Sequence, residues 1–372
     1  MIENDSPGCG YAAAPAASVI VAAYQAAGFV QDAVRSALAQ TRRDIEVVVV
    51  DDGSSDGTWD AILACASEDA RLVPVRQPRR AGPAAARNAA IARARGRWLA
   101  VLDADDLYMP RRLEHMIAAA EASGADLLAD NMLRVDFTTG TQFGVRFSNS
   151  AMNLGEPVTL AEAVRRDMPG GKPRDDGLFG FLQPIIRREF LLSHGIRYAE
   201  DVQVGEDFLL YIECIARGGR FHLMPAAHYV QRVRGDSHSR GRDAMLHLSA
   251  ANRRMVRLAV RERDREAAAL LHRRQRLIDI DCFARLLDEG QILAALKHAH
   301  LGGPARLLRH VRAAAGAVRR RFKGLPPALP GLSTPIQGMD DAVPQRAPGL
   351  EKGAAPRSGV AIRAARRTPV RT

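Results

Sequence analysis

The chain reads as an α/β protein: a mostly parallel sheet with helices on both faces, followed by a C-terminal helical extension. Three observations predict this. Short β-branched runs alternate with segments of helical apolar spacing over residues 18–136. Two of those apolar runs stop at clustered carboxylates, Asp51-Asp52 and Asp103-Ala104-Asp105-Asp106. The charge is also divided. Residues 1–245 carry 28 Lys and Arg against 32 Asp and Glu, whereas residues 246–323 carry 18 against 7. An acidic-leaning front and a basic back imply different partners.

The elements follow in order. SVIVAAY (18–24) is a buried strand, because its run is short and β-branched. Over 28–40, Phe29, Val30, Ala33, Val34, Ala37 and Leu38 fall at helical spacing. IEVVVVDDGSSDGT (45–58) is a continuous apolar strand ending in two acids and a turn, and 59–69 is helical. Arg71–Arg76 is the third strand and Pro83–Arg95 the third helix, with Ala-rich faces. WLAVLDADD (98–106) is the fourth strand, 110–123 the fourth helix and 125–136 the fifth strand. Residues 137–180, rich in Gly and polar groups, read as loops and a short helix. A strand entering a helix is expected over 181–195, and a loop then a helix over 204–218. In sheets of this kind ligands sit beyond the carboxyl ends of the strands, where both acidic clusters fall.

Four regions are expected: a flexible 1–17, a catalytic domain at 18–244, a basic helical region at 245–323, and a disordered Pro, Ala and Arg rich tail at 324–372. Within the third, Leu307, Leu308, Val311, Ala315, Val318 and Phe322 form one stripe with arginines off it. Such a helix suits an anionic membrane surface, or a solvated subdomain packed on the core. Nucleic acid is not expected as a partner, because only Phe283 and Phe322 stand among these arginines to stack bases. The four cysteines, Cys9, Cys65, Cys214 and Cys282, show no CxxC pair, which argues against a zinc ribbon or a disulfide framework and suits a reducing cytosol. No apolar run reaches the length of about 20 residues that crosses a bilayer. The acidic start lacks a basic n-region, so no signal peptide is expected. No GxGxxG follows either acidic strand, which disfavours a dinucleotide dehydrogenase.

Three acidic stations carry candidate chemistry. Asp51 and Asp52 end a strand, where a carboxylate accepts hydrogen bonds from a base or ribose, and Gly53 lets the backbone turn close to a ligand. The same residues also suit a plain strand-to-helix turn. Asp103 and Asp105, two apart at a strand end, put two carboxylates on one side of the chain. Such a pair repels and resists ionising unless a cation joins it, and hard Mg²⁺ or Mn²⁺ prefers oxygen ligands completed by a diphosphate. The competing reading is an N-cap cluster for the following helix. Gly205-Glu206-Asp207 opens an apolar helix, where the dipole favours acids in any case. Arg87, in GPAAARNAAI, can bind phosphate bidentately or belong to a solvated helical face.

Taken in order, SVIVAAY, VVVVDDGSSDGT, GPAAARNAAI, LAVLDADD and GED resemble glycosyltransferase family 2 and its Rossmann-like GT-A nucleotide-diphospho-sugar fold, over roughly residues 18–240. Within the family, ADN, FGFLQPIIRREFL, HGIRYAEDVQVGED and YVQRVRGDSHSR resemble bacterial exopolysaccharide transferases of the succinoglycan-synthesis kind. The resemblance implies that Ala22, Ala23 and Tyr24 line the nucleoside pocket, and that Asp51 and Asp52 sit at the uracil and ribose. It implies Arg87 near the nucleotide, Asp103 at the ribose or the metal shell, and Asp105 as ligand to Mg²⁺ or Mn²⁺. Asp207 is implied as the general base of an inverting transfer. The implied reaction moves one sugar from a UDP-sugar, UDP-glucose above others, to a lipid-linked oligosaccharide at the cytoplasmic face of the cell membrane. A polyprenyl-phosphate sugar transferase of the same fold, or a non-catalytic binding module, are the alternatives. The chain lacks the QxxRW motif of processive members. Asp236 and His238 fall where some GT-A enzymes place a third ligand or a lid.

Overall fold

The computed structural model describes residues 14–148, 152, 155–169, 179–234, 244–288, 290 and 291. The first half alternates as expected: β1 (Ala17–Ala23), α1 (Val30–Leu38), β2 (Ile45–Asp51), α2 (Thr58–Glu68), β3 (Leu72–Arg76), α3 (Pro83–Arg93) and β4 (Trp98–Asp103). The chain continues through β5 (Leu107–Tyr108), α4 (Arg112–Ser123), β6 (Leu127–Asp136), β7 (Gln142–Val145) and α5 (Leu160–Arg166). It ends in β8 (Ile185–Arg187), α6 (Arg188–His194), α7 (Glu206–Ala216), β9 (Phe221–Val233), α8 (Ala244–Arg261) and α9 (Arg265–Asp288).

The strands form one mixed sheet in the order β3-β2-β1-β4-β8-β6-β9-β5, with β7 on β6. β1 to β4 are mutually parallel, and β6 and β9 pair in parallel. β8 runs antiparallel between β4 and β6, and β5 and β7 are antiparallel additions. Three strands escape the sequence pattern. β5 has two residues. β7 lies in the polar stretch read as loop. β9 carries Pro225 and polar side chains that break its alternation, and its register against β6 shifts at Asp130, Asn131 and Met132.

Helices cover both faces. Val47 and Val49 belong to the core that α1, α2 and α4 share, while Val48 and Val50 belong to the core that α3, α5, α7 and α8 share. All four valines are fully buried, which is why β2 is apolar without interruption. The first strand begins at Ala17, and Ala16 already bonds Asp44 and Trp98 through its backbone. The chain is therefore anchored before residue 18. α5 opens on Thr159, whose side chain accepts the Glu162 N–H at 3.2 Å. The basic helical region is helical through α8 and α9. The stripe at 307–322, the tail at 324–372, and Asp236 and His238 lie outside the described residues.

Candidate functional site

The period-two alternation of strands decides where the strand-end acids point. Asp103 follows Leu99 and Val101 and so faces α3 and α7. Asp51 follows Val47 and Val49 and so faces α2. β1 ends between them, with Ala22 paired to Asp103 and Ala23 paired to Asp51.

Arg87 of α3 gathers the centre of the site. Its Nη2 donates to Asp103 Oδ1 at 2.9 Å, and its Nη1 donates to Glu206 Oε1 at 2.9 Å. The same Nη1 lies 3.2 Å from Asp207 Oδ1. Arg87 is itself buried, and its guanidinium rests 5.4 Å from the centre of the Tyr198 ring. One guanidinium thus holds three carboxylates from β4 and the start of α7. The sequence placed Arg87 near a nucleotide, and the structure adds that its fork is turned on acids. The second oxygen of Asp103 accepts from Gln183 Nε2 at 2.9 Å. Gln183 was not singled out in the sequence, because it lies in a non-periodic segment.

Asp207 is the most perturbed acid of this group. Burial, helped by the nearby Glu206 and Asp103 charges and opposed by the pull of Arg87, pushes its carboxyl up to about 8. Its partner Glu206 is raised for the same first reason, burial. Gly205 sits at φ +84, so the chain enters α7 through the left-handed region that glycine adopts without strain.

The acids after β4 divide their tasks. Asp106 is buried, accepts from Tyr229 Oη at 2.8 Å and from the Arg232 N–H at 2.8 Å, and so anchors β9. Asp103 and Asp105 stay about one-third exposed, at 34% and 30% of their side chains. Burial raises the Asp105 carboxyl, and the Asp103 charge raises it again. Arg234 pairs with Asp105 at 2.9 Å. Two partly exposed carboxylates, two residues apart at a strand end, fit a hard divalent cation, whose remaining ligands a diphosphate would supply. Among the described residues no cluster of three His, Cys, Asp or Glu forms a complete metal cage.

Asp51 and Asp52 occupy a neighbouring station. Asp51 Oδ1 accepts the Ser54 N–H at 3.0 Å, and its Oδ2 stands 3.5 Å from Arg76. Both oxygens of Asp52 accept backbone N–H groups, from Ala81 at 2.7 Å and Gly82 at 2.8 Å. Asp52 therefore fixes the loop that starts α3, the helix carrying Arg87. Gly53 is obligatory there, since a Cβ would meet the Arg79 and Arg80 backbone at 2.6 Å. Tyr24 is half-buried under the Arg80 guanidinium, 4.3 Å above its ring. Of the residues singled out in the sequence, the structure joins Arg87, Asp103 and Asp207 directly, with Asp105 beside them. It joins Asp52 to them through the α3 loop, and leaves Asp51 on the opposite side of β2.

Comparisons with known proteins bear on the family and the fold. The profile of Glycosyl transferase family 2 matches residues 18–180. The succinoglycan biosynthesis protein ExoU of Rhizobium meliloti (strain 1021) is 36% identical over 270 residues, covering 71% of this chain and 76% of that protein. ExoO of the same organism is 39% identical over 226 residues, 61% of this chain and 63% of ExoO, so the match spans less than two thirds of ExoO's length. Over 100 residues the chain is 38% identical to the Escherichia coli UDP-Glc:alpha-D-GlcNAc-diphosphoundecaprenol beta-1,3-glucosyltransferase WfaP, 27% of this chain and 39% of WfaP. Among solved structures, S. aureus TarS 1–349 in complex with UDP-GlcNAc aligns with a TM-score of 0.55 at 18% identity, over 82% of this chain and 92% of that one. That likeness concerns the fold.

Proposed function

Because the chain belongs to glycosyl transferase family 2 and is related to transferases of exopolysaccharide biosynthesis, we propose that it transfers a single sugar from a UDP-sugar, UDP-glucose by preference, to a lipid-linked saccharide. The observation that carries this reading is the convergence of Asp103, Glu206 and Asp207 on Arg87 at the carboxyl edge of the sheet. The donor choice draws on WfaP, a relative named as a UDP-Glc glucosyltransferase. The acceptor choice draws on the same name and on the two succinoglycan biosynthesis relatives.

In this reading Asp207 is the general base. A carboxyl raised to about 8 is, once ionised, a stronger base toward an acceptor hydroxyl than an ordinary carboxylate. The hydroxyl oxygen attacks the anomeric carbon, the bond from that carbon to the diphosphate oxygen breaks, and the hydroxyl proton passes to Asp207. One displacement from the opposite face inverts the anomeric centre. Arg87 keeps Asp207 aimed and leaves it partly neutralised. Ala22 and Tyr24 border the nucleoside at the ends of β1 and β2, with Asp52 acting through the loop it fixes and Asp51 acting from the far face of β2 through the turn it holds at Ser54. Asp103 and Asp105 would hold Mg²⁺ or Mn²⁺, which when bound neutralises the charge of the diphosphate leaving group.

The acceptor places the enzyme at the inner face of the cell membrane. In support, α8 carries Arg253, Arg254, Arg257 and Arg261 with no Asp or Glu, and the basic sequence continues through residue 323. No helix among the described residues is long and apolar enough to cross a membrane. The test is nucleoside diphosphate release by the full chain with Mn²⁺ and a panel of UDP-glucose, UDP-galactose, UDP-GlcNAc and GDP-mannose. Release from UDP-glucose above the others supports the reading, and no release from any UDP-sugar overturns it.

A further inference from the structure

Among the described residues, two arginines near the site differ from several of their neighbours in lacking an ion pair. Arg87, Arg232, Arg234 and Arg274 each pair with a carboxylate. Arg134 on β6 and Arg146 just beyond β7 form no ion pair among the described residues. The Nε of each is enclosed and meets no hydrogen-bond acceptor there.

Register puts them on one face. Leu133 lies opposite Val145 and Arg134 opposite Gly144, and the Arg146 N–H donates to the Met132 carbonyl at 2.8 Å. Residues two apart on a strand share a face, so Arg134 and Arg146 are diagonal neighbours. Gln231 of β9 stands opposite Arg134 and accepts from Arg146 Nη1 at 2.8 Å. The Arg146 guanidinium covers the Phe181 ring at 4.0 Å. Phe181 is partly exposed, and it belongs to the turn that delivers Gln183 to Asp103. This face therefore opens beside the catalytic acids.

Two like charges held together in a half-buried place are unfavourable without a counterion. Burial pushes the Arg146 guanidinium down to about 10, the Arg134 charge adds to the fall, and the charges of Asp106 and Asp167 offset part of it. A bound oxyanion reverses both effects, and the planar guanidinium fork matches phosphate oxygens bidentately. The place in the sheet separates this anion from the donor. β8 stands between β4 and β6, and Arg134 lies further along β6, past the Leu127 and Leu128 that pair with β8. It lies on the side of β4 away from β1 and β2, where the nucleoside is placed.

We propose that Arg134 and Arg146, flanked by Phe181 and Gln231, form a site for the phosphate oxyanions of the acceptor, distinct from the donor diphosphate. The assignment to the acceptor rests on the transferase reading above. Inorganic phosphate and geranyl phosphate are titrated calorimetrically into the full chain saturated with UDP and Mg²⁺. Arg134→Gln and Arg146→Gln each weaken both probes by about tenfold, the loss expected for one charge-assisted contact. Arg146→Lys retains part of the affinity, and UDP affinity and the thermal melt stay as in the wild type. Tighter binding of geranyl phosphate than of inorganic phosphate marks a lipid-borne acceptor, and equal binding marks a soluble one. Either result supports the site. Wild-type protein that binds UDP but neither probe, or variants that bind both probes normally, overturns it. Variants that lose UDP affinity in step with the probes also overturn it, by assigning the arginines to the donor. A wild type that fails to bind UDP defeats the donor reading instead, and the same titration without UDP still reads the arginine pair.

Discussion

Arg87 Nη1 stands 3.2 Å from Asp207 Oδ1, an ion pair between α3 and the first turn of α7 in which both side chains are largely buried. The same nitrogen donates to Glu206 at 2.9 Å. A cation shared by two adjacent acids cannot satisfy both fully, so Asp207 keeps a high proton affinity while staying in place. The following outcomes depend on that arrangement.

Removing the cation acts on both stability and titration. Arg87→Gln leaves Asp103, Glu206 and Asp207 without their partner, a loss of about 3–5 kcal/mol by comparison with broken buried pairs. Arg87 lowers the Asp207 carboxyl in the wild type. The acidic limb of the pH–rate profile therefore moves to higher pH in Arg87→Gln and moves less in Arg87→Lys. A limb that does not move removes Arg87 from the control of the base.

Asp207→Asn retains UDP binding and loses transfer by roughly 10²–10⁴-fold, the span of general-base contributions. Parallel calorimetry with UDP and radiolabelled sugar transfer read the two effects separately. Near-normal turnover would exclude Asp207 as the base.

The proton on Asp207 has a signed effect on stability. Its folded-state carboxyl is raised to about 8, so between the ordinary carboxylate range and pH 8 the folded protein holds a proton that the unfolded chain has released. Its contribution to stability is therefore lost as pH rises through that window. Urea unfolding of Asp207→Asn at pH 5 and pH 8 should show a smaller fall than the wild type. Activity of the wild type rises over the same range, as the base becomes free to accept.

Asp105→Asn tests the cation. Wild-type UDP affinity increases when Mn²⁺ is added, and the variant shows no such increase. An equal response in both proteins would refute Asp105 as a ligand.

A second buried pair links the C-terminal helices to the catalytic side. Arg274 of α9 donates to Asp167 at 2.5 Å, and Asp167 Oδ1 accepts the Gly180 N–H at 2.8 Å, in the turn that precedes Gln183. Arg274 also covers Phe208, the residue after Asp207. Asp167→Asn leaves a buried guanidinium uncompensated and costs about 3–5 kcal/mol, measured by urea unfolding. A loss below about 1 kcal/mol, the level of an exposed pair, would show that the helical hairpin is not anchored there.

The sequence by itself determined the alternating strand and helix order, the two acidic strand ends and the acidic start of α7. These are local facts: an apolar run must end where the sheet edge meets water, and acids collect at strand ends and helix N-termini. What only the tertiary structure decided is which of those acids act together. Asp103 and Asp106 are close neighbours in the chain, yet one meets Arg87 at the cleft and the other turns inward to Tyr229. The choice depends on how the turn after β4 meets β9, and β9 itself was hidden by Pro225 and its bulged register. Gln183, Arg134 and Arg146 were equally silent, because their surroundings come from strands far apart in sequence. Period and propensity report the face a residue takes within its own element, and the partner on that face is set by packing alone.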